Sequence, residues 1–142
     1  MKFLILFALV AVAAAGEVKF HDCGHNEITK VEVDGCSGEL CTLHKSKPVH
    51  LKSTFTANQD TTKIELKITG KLNGIEVAVP GVETDGCKIV KCPLKKGQTV
   101  PFEYTFTIPA IVPAVPDTMV TLKAVGDHGV LACASVHNKI EN

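Results

Sequence analysis

Lys63-Ile64-Glu65-Leu66-Lys67-Ile68-Thr69-Gly70-Lys71-Leu72-Asn73-Gly74-Ile75-Glu76-Val77-Ala78-Val79 is the stretch that decides the fold. Ile64, Leu66, Ile68 and Leu72 fall on one parity, and Lys63, Glu65, Lys67, Thr69 and Lys71 on the other. Successive side chains of a strand point to opposite sides, so this alternation describes a strand with one buried and one wet face. Asn73-Gly74 follows, the dipeptide best suited to a two-residue hairpin turn, where both central residues need positive φ. Ile75, Val77 and Val79 continue the inward set, and Pro80-Gly81 ends it.

Working outward, the same period recurs on both sides of this hairpin. Val49, Leu51 and Phe55 oppose His50, Lys52, Thr54 and Thr56; Val100, Phe102, Tyr104, Phe106 and Ile108 oppose Glu103, Thr105 and Thr107. Val120, Leu122 and Ala124 repeat it before the apolar stretch from Val130 to Val136 around Cys133. With Val31-Glu32-Val33 these make about seven short strands separated by turns, which predicts an all-β, antiparallel two-sheet sandwich. The apolar run from Ile108 to Pro116 holds Pro109, Pro113 and Pro116, so a loop is expected there. No repeat or linker divides the chain. An ordinary immunoglobulin domain places a tryptophan between two core cysteines, and this chain has no tryptophan.

A length of 142 residues suits one domain. The first fifteen residues stand apart: Lys2 precedes an uninterrupted apolar run from Phe3 to Val12, then Ala13, Ala14 and Ala15. This reads as a secretory signal peptide over residues 1–15, leaving residues 16–142 as the mature domain, secreted and extracellular. The run falls short of the roughly 20 residues that span a bilayer, so no stable membrane insertion is expected. Fifteen lysines, no arginine and fifteen acids balance to zero, which gives nucleic acid nothing to bind.

Secretion also sets the meaning of the six cysteines, Cys23, Cys36, Cys41, Cys87, Cys92 and Cys133, because an oxidising compartment favours three disulfides. Cys36 with Cys41 and Cys87 with Cys92 are spaced to clip local turns, and that choice would leave Cys23 with Cys133. Spacing alone leaves the connectivity open. A four-cysteine zinc site is the rival reading, suited to a cytosolic protein rather than a secreted one.

No nucleophile elbow, zinc-protease motif, phosphate-binding loop or dinucleotide glycine set is present, so neither an enzyme nor a cofactor is expected. His21 and His25 flank Cys23 as would-be metal ligands, but a disulfide removes the thiolate. Ser135 and His137 lie two apart with no evident oxyanion hole or orienting group. Medium aliphatics and phenylalanines fill the inward positions without a tryptophan, which leaves room for a cavity, although interiors ordinarily pack to crystal-like density. Ile111 and Val112 in the proline-rich loop suit the rim of such a cavity. Lys88, Lys91, Lys95 and Lys96 gather around the second C-x4-C pair, where they suit a rim that meets an anionic head group.

Particular spellings go further. Val33-Asp34-Gly35-Cys36, the segment Phe55 to Thr61, the run from Val79 through Cys87-Lys88-Ile89-Val90-Lys91-Cys92-Pro93 to Gly97, and Gly126-Asp127-His128-Gly129-Val130-Leu131-Ala132-Cys133 resemble the group 2 mite allergens. Those belong to the ML lipid-recognition family, with the Niemann-Pick type C lumenal cholesterol-transfer protein and the lipid-binding co-receptor of the innate endotoxin response. The resemblance covers the whole mature chain. It implies an immunoglobulin-like sandwich whose sheets enclose a lipid cavity, with bridges Cys23 to Cys133, Cys36 to Cys41 and Cys87 to Cys92. It also implies a fatty acid or sterol ligand, recognition by host IgE as a storage-mite allergen, and an innate immune receptor as a further partner. Inward parity then assigns Val49, Leu51, Phe55, Ile64, Leu66, Val77, Val79, Phe102, Tyr104, Phe106, Ile108, Val120 and Leu122 to the cavity wall. Group 2 relatives often carry a tryptophan where this chain has Tyr104-Thr105-Phe106, a difference that alters cavity volume. The alternative is a filled core whose surface recognises a receptor.

Overall fold

The computed structural model describes residues 16–142, so the signal peptide expected at 1–15 lies outside the described residues. The strands are β1 (Glu17–Val18), β2 (His21–Asp22), β3 (Ile28–Val33), β4 (Leu40–His44), β5 (Pro48–Thr56), β6 (Glu65–Leu72), β7 (Ile75–Ala78), β8 (Thr99–Thr107), β9 (Val115–Gly126) and β10 (Gly129–Glu141). They form two sheets. One runs β1-β3-β5-β8; the other runs β2-β10-β9-β6-β7, with β4 also paired to β10. The all-β two-sheet sandwich expected from the alternation is therefore present, with one addition: β4 lies parallel to β10, from His137 opposite Leu40 to Glu141 opposite His44.

The deciding hairpin closes as its spelling requires. Leu72 pairs with Ile75, and Asn73 and Gly74 both adopt positive φ, at 50° and 80°, the conformation of a type I′ turn. Ile64, Leu66 and Ile68 are buried on the inward parity. The continuation differs, because β7 is the edge strand and nothing packs over it: Ile75 is 66% exposed and Val77 45%. The loop expected from Ile108 to Pro116 ends earlier, since Val115 and Pro116 already belong to β9. Proline is tolerated there because β6 pairs with β9 only as far as Val120 and Pro116 falls at the register shift between Asn138 and Ile140 of β10, so neither neighbour needs the missing N–H.

All three disulfides join the pairs that the resemblance implied: Cys23–Cys133, Cys36–Cys41 and Cys87–Cys92. The first closes a separation of 110 residues, the kind of loop whose closure stabilises most in the chain-entropy account, roughly 4–5 kcal/mol. Among the described residues the one helical turn is a 3-10 turn at Gly86–Lys88, N-capped by the Asp85 side chain. Gly86 lies over Ile64, and a Cβ there would sit 2.6 Å from Ile64 Cγ2.

One end of the sandwich is closed by side-chain amides. Asn58 Nδ2 donates to Glu27 Oε2 and to the Val130 carbonyl, while Gln59 bonds the Gly129 carbonyl and the His128 N–H. Asp127 N–H reaches Thr61 Oγ1 at 2.8 Å. The backbone N–H and the hydroxyl of Thr62, each 2.8 Å from the Asp127 carboxylate, hold its pKa below the usual carboxylate value.

Two outcomes follow from this packing. Leu131 is fully buried at a register shift in β10, so Leu131→Ala is expected to cost about 2–5 kcal/mol in urea denaturation. A carboxylate whose folded pKa is lowered stabilises the fold above its unfolded pKa and loses that contribution as pH falls through the lowered value. Asp127→Asn should therefore lower Tm at neutral pH, and the difference from wild type should close in melts run progressively below the carboxylate range.

Candidate functional site

Sheets of a sandwich pack about 10 Å apart, and the inward positions here carry too little side-chain volume to fill that layer. Three adjoining apolar chambers remain. The outermost, with a cavity volume of about 180 Å³, lies among the ends of β6 and β7, the loop at 108–113, and Val120 and Ile140. A middle chamber of about 60 Å³ runs between β3 and β5 on one side and β9 and β10 on the other. The innermost, about 30 Å³, is bounded by Phe55, Phe102, Leu66 and Ala132. Leu43, Phe106 and Val120 border both outer and middle chambers, and Ile28, Ser53 and Leu122 border both middle and inner ones. The chambers thus lie in line between the sheets, with Phe106 between the outer two, from the level of Phe102 in β8 to that of Ile108 just past its end, or about 20 Å at strand rise.

The lining is almost wholly hydrocarbon. No Lys, Asp, Glu or His borders any of the three chambers. The polar lining side chains are Thr118, Ser53 and Asn138. Thr118 Oγ1 donates to the Lys71 carbonyl and accepts from its N–H, and Ser53 Oγ donates to the Lys30 carbonyl. A dry apolar cavity of roughly 150 Å³ is known to stay empty of water and to admit benzene, so the outer chamber alone is large enough for an apolar guest.

Most residues expected on the wall are there. Val77, Val79, Phe106, Ile108 and Val120 line the outer chamber, and Val49, Leu51 and Leu122 the middle one. Phe55, Leu66 and Phe102 bound the inner one. Two are not. Ile64 packs beneath Gly86 instead, and the Tyr104 hydroxyl accepts from the Glu83 N–H at 2.8 Å, tying the segment after β7 to the opposite sheet. The Tyr104 ring stacks on Phe106 with centroids 5.9 Å apart, which braces the division between the outer two chambers.

Ile111, 83% exposed, and Val112 border the outer chamber at its opening. The lysines do not. Lys88, Lys91, Lys95 and Lys96 lie beyond the start of β8, on the segment that pairs Leu94 with Thr61 and Gly97 with Ala57. The 108–113 loop follows the other end of that nine-residue strand, about 30 Å from the strand's start. Lys88 faces Glu83 at 3.7 Å, and Lys96 N–H is held by Asp60. None of the four lysines borders a chamber; Lys95 and Lys96 stand at the closed end, and Lys88 reaches through Glu83 toward Tyr104, midway along β8.

Cys23 is disulfide-bonded, which removes the would-be metal set of His21, Cys23 and His25. Asp117 does approach His137 Nδ1 at 3.1 Å, an orienting group the sequence concealed. The Ser135 hydroxyl, however, bonds Thr121 at 2.8 Å. Sequence reasoning also missed Leu43, Ile28, Val136, Asn138 and Ile140 as lining residues. The last three share the inward parity of β10, a signal present in the sequence but masked by polar His137, Asn138 and Lys139.

A hollow, disulfide-pinned β-sandwich is the class that this geometry defines. A family model described as the ML domain matches residues 17–140, and the chain belongs to that family. The mite group 2 allergen Tyr p 2 of Tyrophagus putrescentiae is 62% identical over 141 residues, covering 99% of each chain. The mite group 2 allergen Der f 2 of Dermatophagoides farinae is 46% identical, covering 99% of this chain and 98% of that protein. Among solved structures, a Niemann-Pick type C2 protein from the Japanese carpenter ant superposes with a TM-score of 0.78 at 25% identity, covering 87% of this chain and 99% of that one. Chicken MD-1 complexed with lipid IVa shares the fold, with a TM-score of 0.57 at 16% identity over 84% of this chain and 87% of that one.

The Tyr104 hydroxyl bond fixes one wall of the chambers. Tyr104→Phe is expected to cost about 0.5–1.5 kcal/mol in urea denaturation and to speed hydrogen exchange of the Glu83 amide.

Proposed function

We propose that this protein is a secreted carrier that holds an apolar lipid between its two sheets. The observation that carries this reading is the line of uncharged apolar chambers between the sheets, the outermost bordered by Val77 and Ile111 and divided from the next at Phe106. Membership of the ML domain family supports it. Transfer from water supplies the affinity: each buried methylene contributes roughly 0.8 kcal/mol, so a long acyl chain gains on the order of 10 kcal/mol before ordering costs. Chamber shape rather than charge sets selectivity, and a fatty acid or a sterol is the class of guest. No step of this role requires a catalytic group.

Residues 1–15 serve as the secretory signal that delivers the chain to an oxidising compartment. The relatives named as mite allergens support recognition of this protein by host IgE, with an innate immune receptor as a further partner. Both describe a host response to the carrier rather than its own task.

Native mass spectrometry of protein secreted by eukaryotic cells, followed by organic extraction, tests the carrier role. A stoichiometric lipid adduct is expected. Stripping a lipid that was present at 100 times its Kd should remove about 2.7 kcal/mol of apparent stability, read as a lower Tm. A bare protein mass together with failure to bind apolar dyes overturns the reading.

A further inference from the structure

Strand β7 is paired on one side only, with β6, and stands at the edge of its sheet. In an antiparallel ladder, alternate residues turn their N–H and C=O groups toward a given neighbour. The hairpin pairs Ile75 with Leu72, and the Val79 N–H bonds the Ile68 carbonyl, so Ile75, Val77 and Val79 are the residues bonded to β6. Glu76 and Ala78 therefore aim their N–H and C=O groups at the open edge, where no backbone partner meets them among the described residues. Every residue of β7 is exposed. Edge strands are ordinarily blunted by a lysine, a proline or a bulge, and β7 carries none of these within its span. Its one charge, Glu76, lies across from Lys71 of β6, which offsets it.

Register decides what fits this edge. Two copies meeting about a two-fold axis must set edge-facing residues opposite edge-facing residues, which for so short a strand leaves centres at Glu76, Val77 or Ala78. Centred on Glu76, the two carboxylates stand directly opposite, a destabilising pair. Centred on Ala78, Glu76 falls opposite Pro80, which has no N–H to give. Centred on Val77, Glu76 of each copy faces Ala78 of the other, both exchange N–H and C=O bonds, and no like charges are opposed. On the other face Val77 then meets Val77 and Ile75 meets Val79, aliphatic against aliphatic. The exposed apolar surface of this strand is thus complementary to itself.

We propose that β7 is a dimerisation edge at which two copies of this chain pair antiparallel about Val77, joining their β7-edged sheets into one. The inference stands on the edge alone, whether or not the chambers hold lipid. Because Val77 also borders the outer chamber, the pairing sets the two outer chambers on either side of the axis, and each copy covers part of the other's rim. One short strand buries less than the roughly 1,000 Å² of a stable interface, so the dimer belongs to the weak, reversible class.

Sedimentation equilibrium of the secreted protein, from micromolar to millimolar concentration, is expected to show a reversible monomer–dimer equilibrium. Glu76→Pro removes an edge-facing N–H and spares the β6 ladder, which that N–H does not join. The dimer dissociation constant is expected to rise by about 5–150-fold in this variant, the worth of two net hydrogen bonds across the axis. A wild-type protein that is monomeric throughout, or a dimer equally tight in Glu76→Pro, overturns the proposal. Cysteine substitution reads the register without relying on that variant. Val77→Cys sets two thiols directly opposite in a non-hydrogen-bonded pair, about 4.5 Å between Cα atoms, which suits a disulfide. Ile75→Cys sets them about 14 Å apart. In oxidised glutathione, Val77→Cys is expected to form a covalent homodimer while Ile75→Cys stays monomeric. Ile75 is 66% exposed against 45% for Val77, so chance collision would favour position 75. Cross-linking there first, at both positions alike, or at neither overturns the proposal.

Discussion

Strand β10 pairs with β9 along most of its length, with β2 at Ala134 and Ser135, and with β4 from His137 to Glu141. Its register sets the rest of its own sheet. The Cys23–Cys133 bridge ties that register to the start of the chain, and the ladder of β9 on its other side carries β6 and then β7 out to the edge. Inward parity along β10 consequently decides what faces the second sheet, and the residues it presents are small: Ala132, Ala134 and Val136. Small side chains on one sheet facing medium aliphatics on the other leave a layer that hydrocarbon alone does not fill.

The two ends of that layer are treated in opposite ways. At one, Asn58, Gln59 and Thr61 satisfy the carbonyls and N–H groups of the β9–β10 turn, so the buried polar atoms of that turn find partners. At the other, the edge strand β7 and the 108–113 loop bring together aliphatic residues with few hydrogen bonds between them, and Val77 and Ile111 remain exposed. Of the covalent bridges, Cys23–Cys133 and Cys87–Cys92 lie away from this second end, while Cys41 of the Cys36–Cys41 bridge stands two residues from Leu43 of the outer chamber. The polar network is thus confined to one end of the sandwich and the exposed aliphatics to the other.

Strict alternation made the strands legible, because each of β5, β6 and β8 buries one face, and Asn73-Gly74 placed the hairpin. Strand β4 was not legible: its partner in the parallel pair with β10 lies some ninety residues further on, and no local turn announces a pairing of that kind. The full extents of β9 and β10 were hidden by Pro116 and by the polar run from His137 to Lys139. Parity also named most of the chamber walls, since facing inward is a property of the strand. It failed where exposure depends on what lies opposite, as at Ile75 on an edge, and where a side chain is needed by a neighbour, as with Tyr104 and Glu83. The four lysines line no chamber, since sequence proximity to a disulfide clip says nothing about which side chains face between the sheets.

The division at Phe106 leaves empty space on both sides of it, and empty space has a volumetric cost. A chain that encloses a void occupies more volume folded than its atoms require, and unfolding lets water reclaim that space. Hydrostatic pressure therefore acts on this sandwich more strongly than on a filled one of the same length, and it does so through the chambers rather than through the close-packed closed end. A guest that occupies the chambers removes the excess volume. Loading and compressibility are in this way two readings of one geometric fact, the mismatch between the spacing of the sheets and the size of the side chains that β10 sets between them.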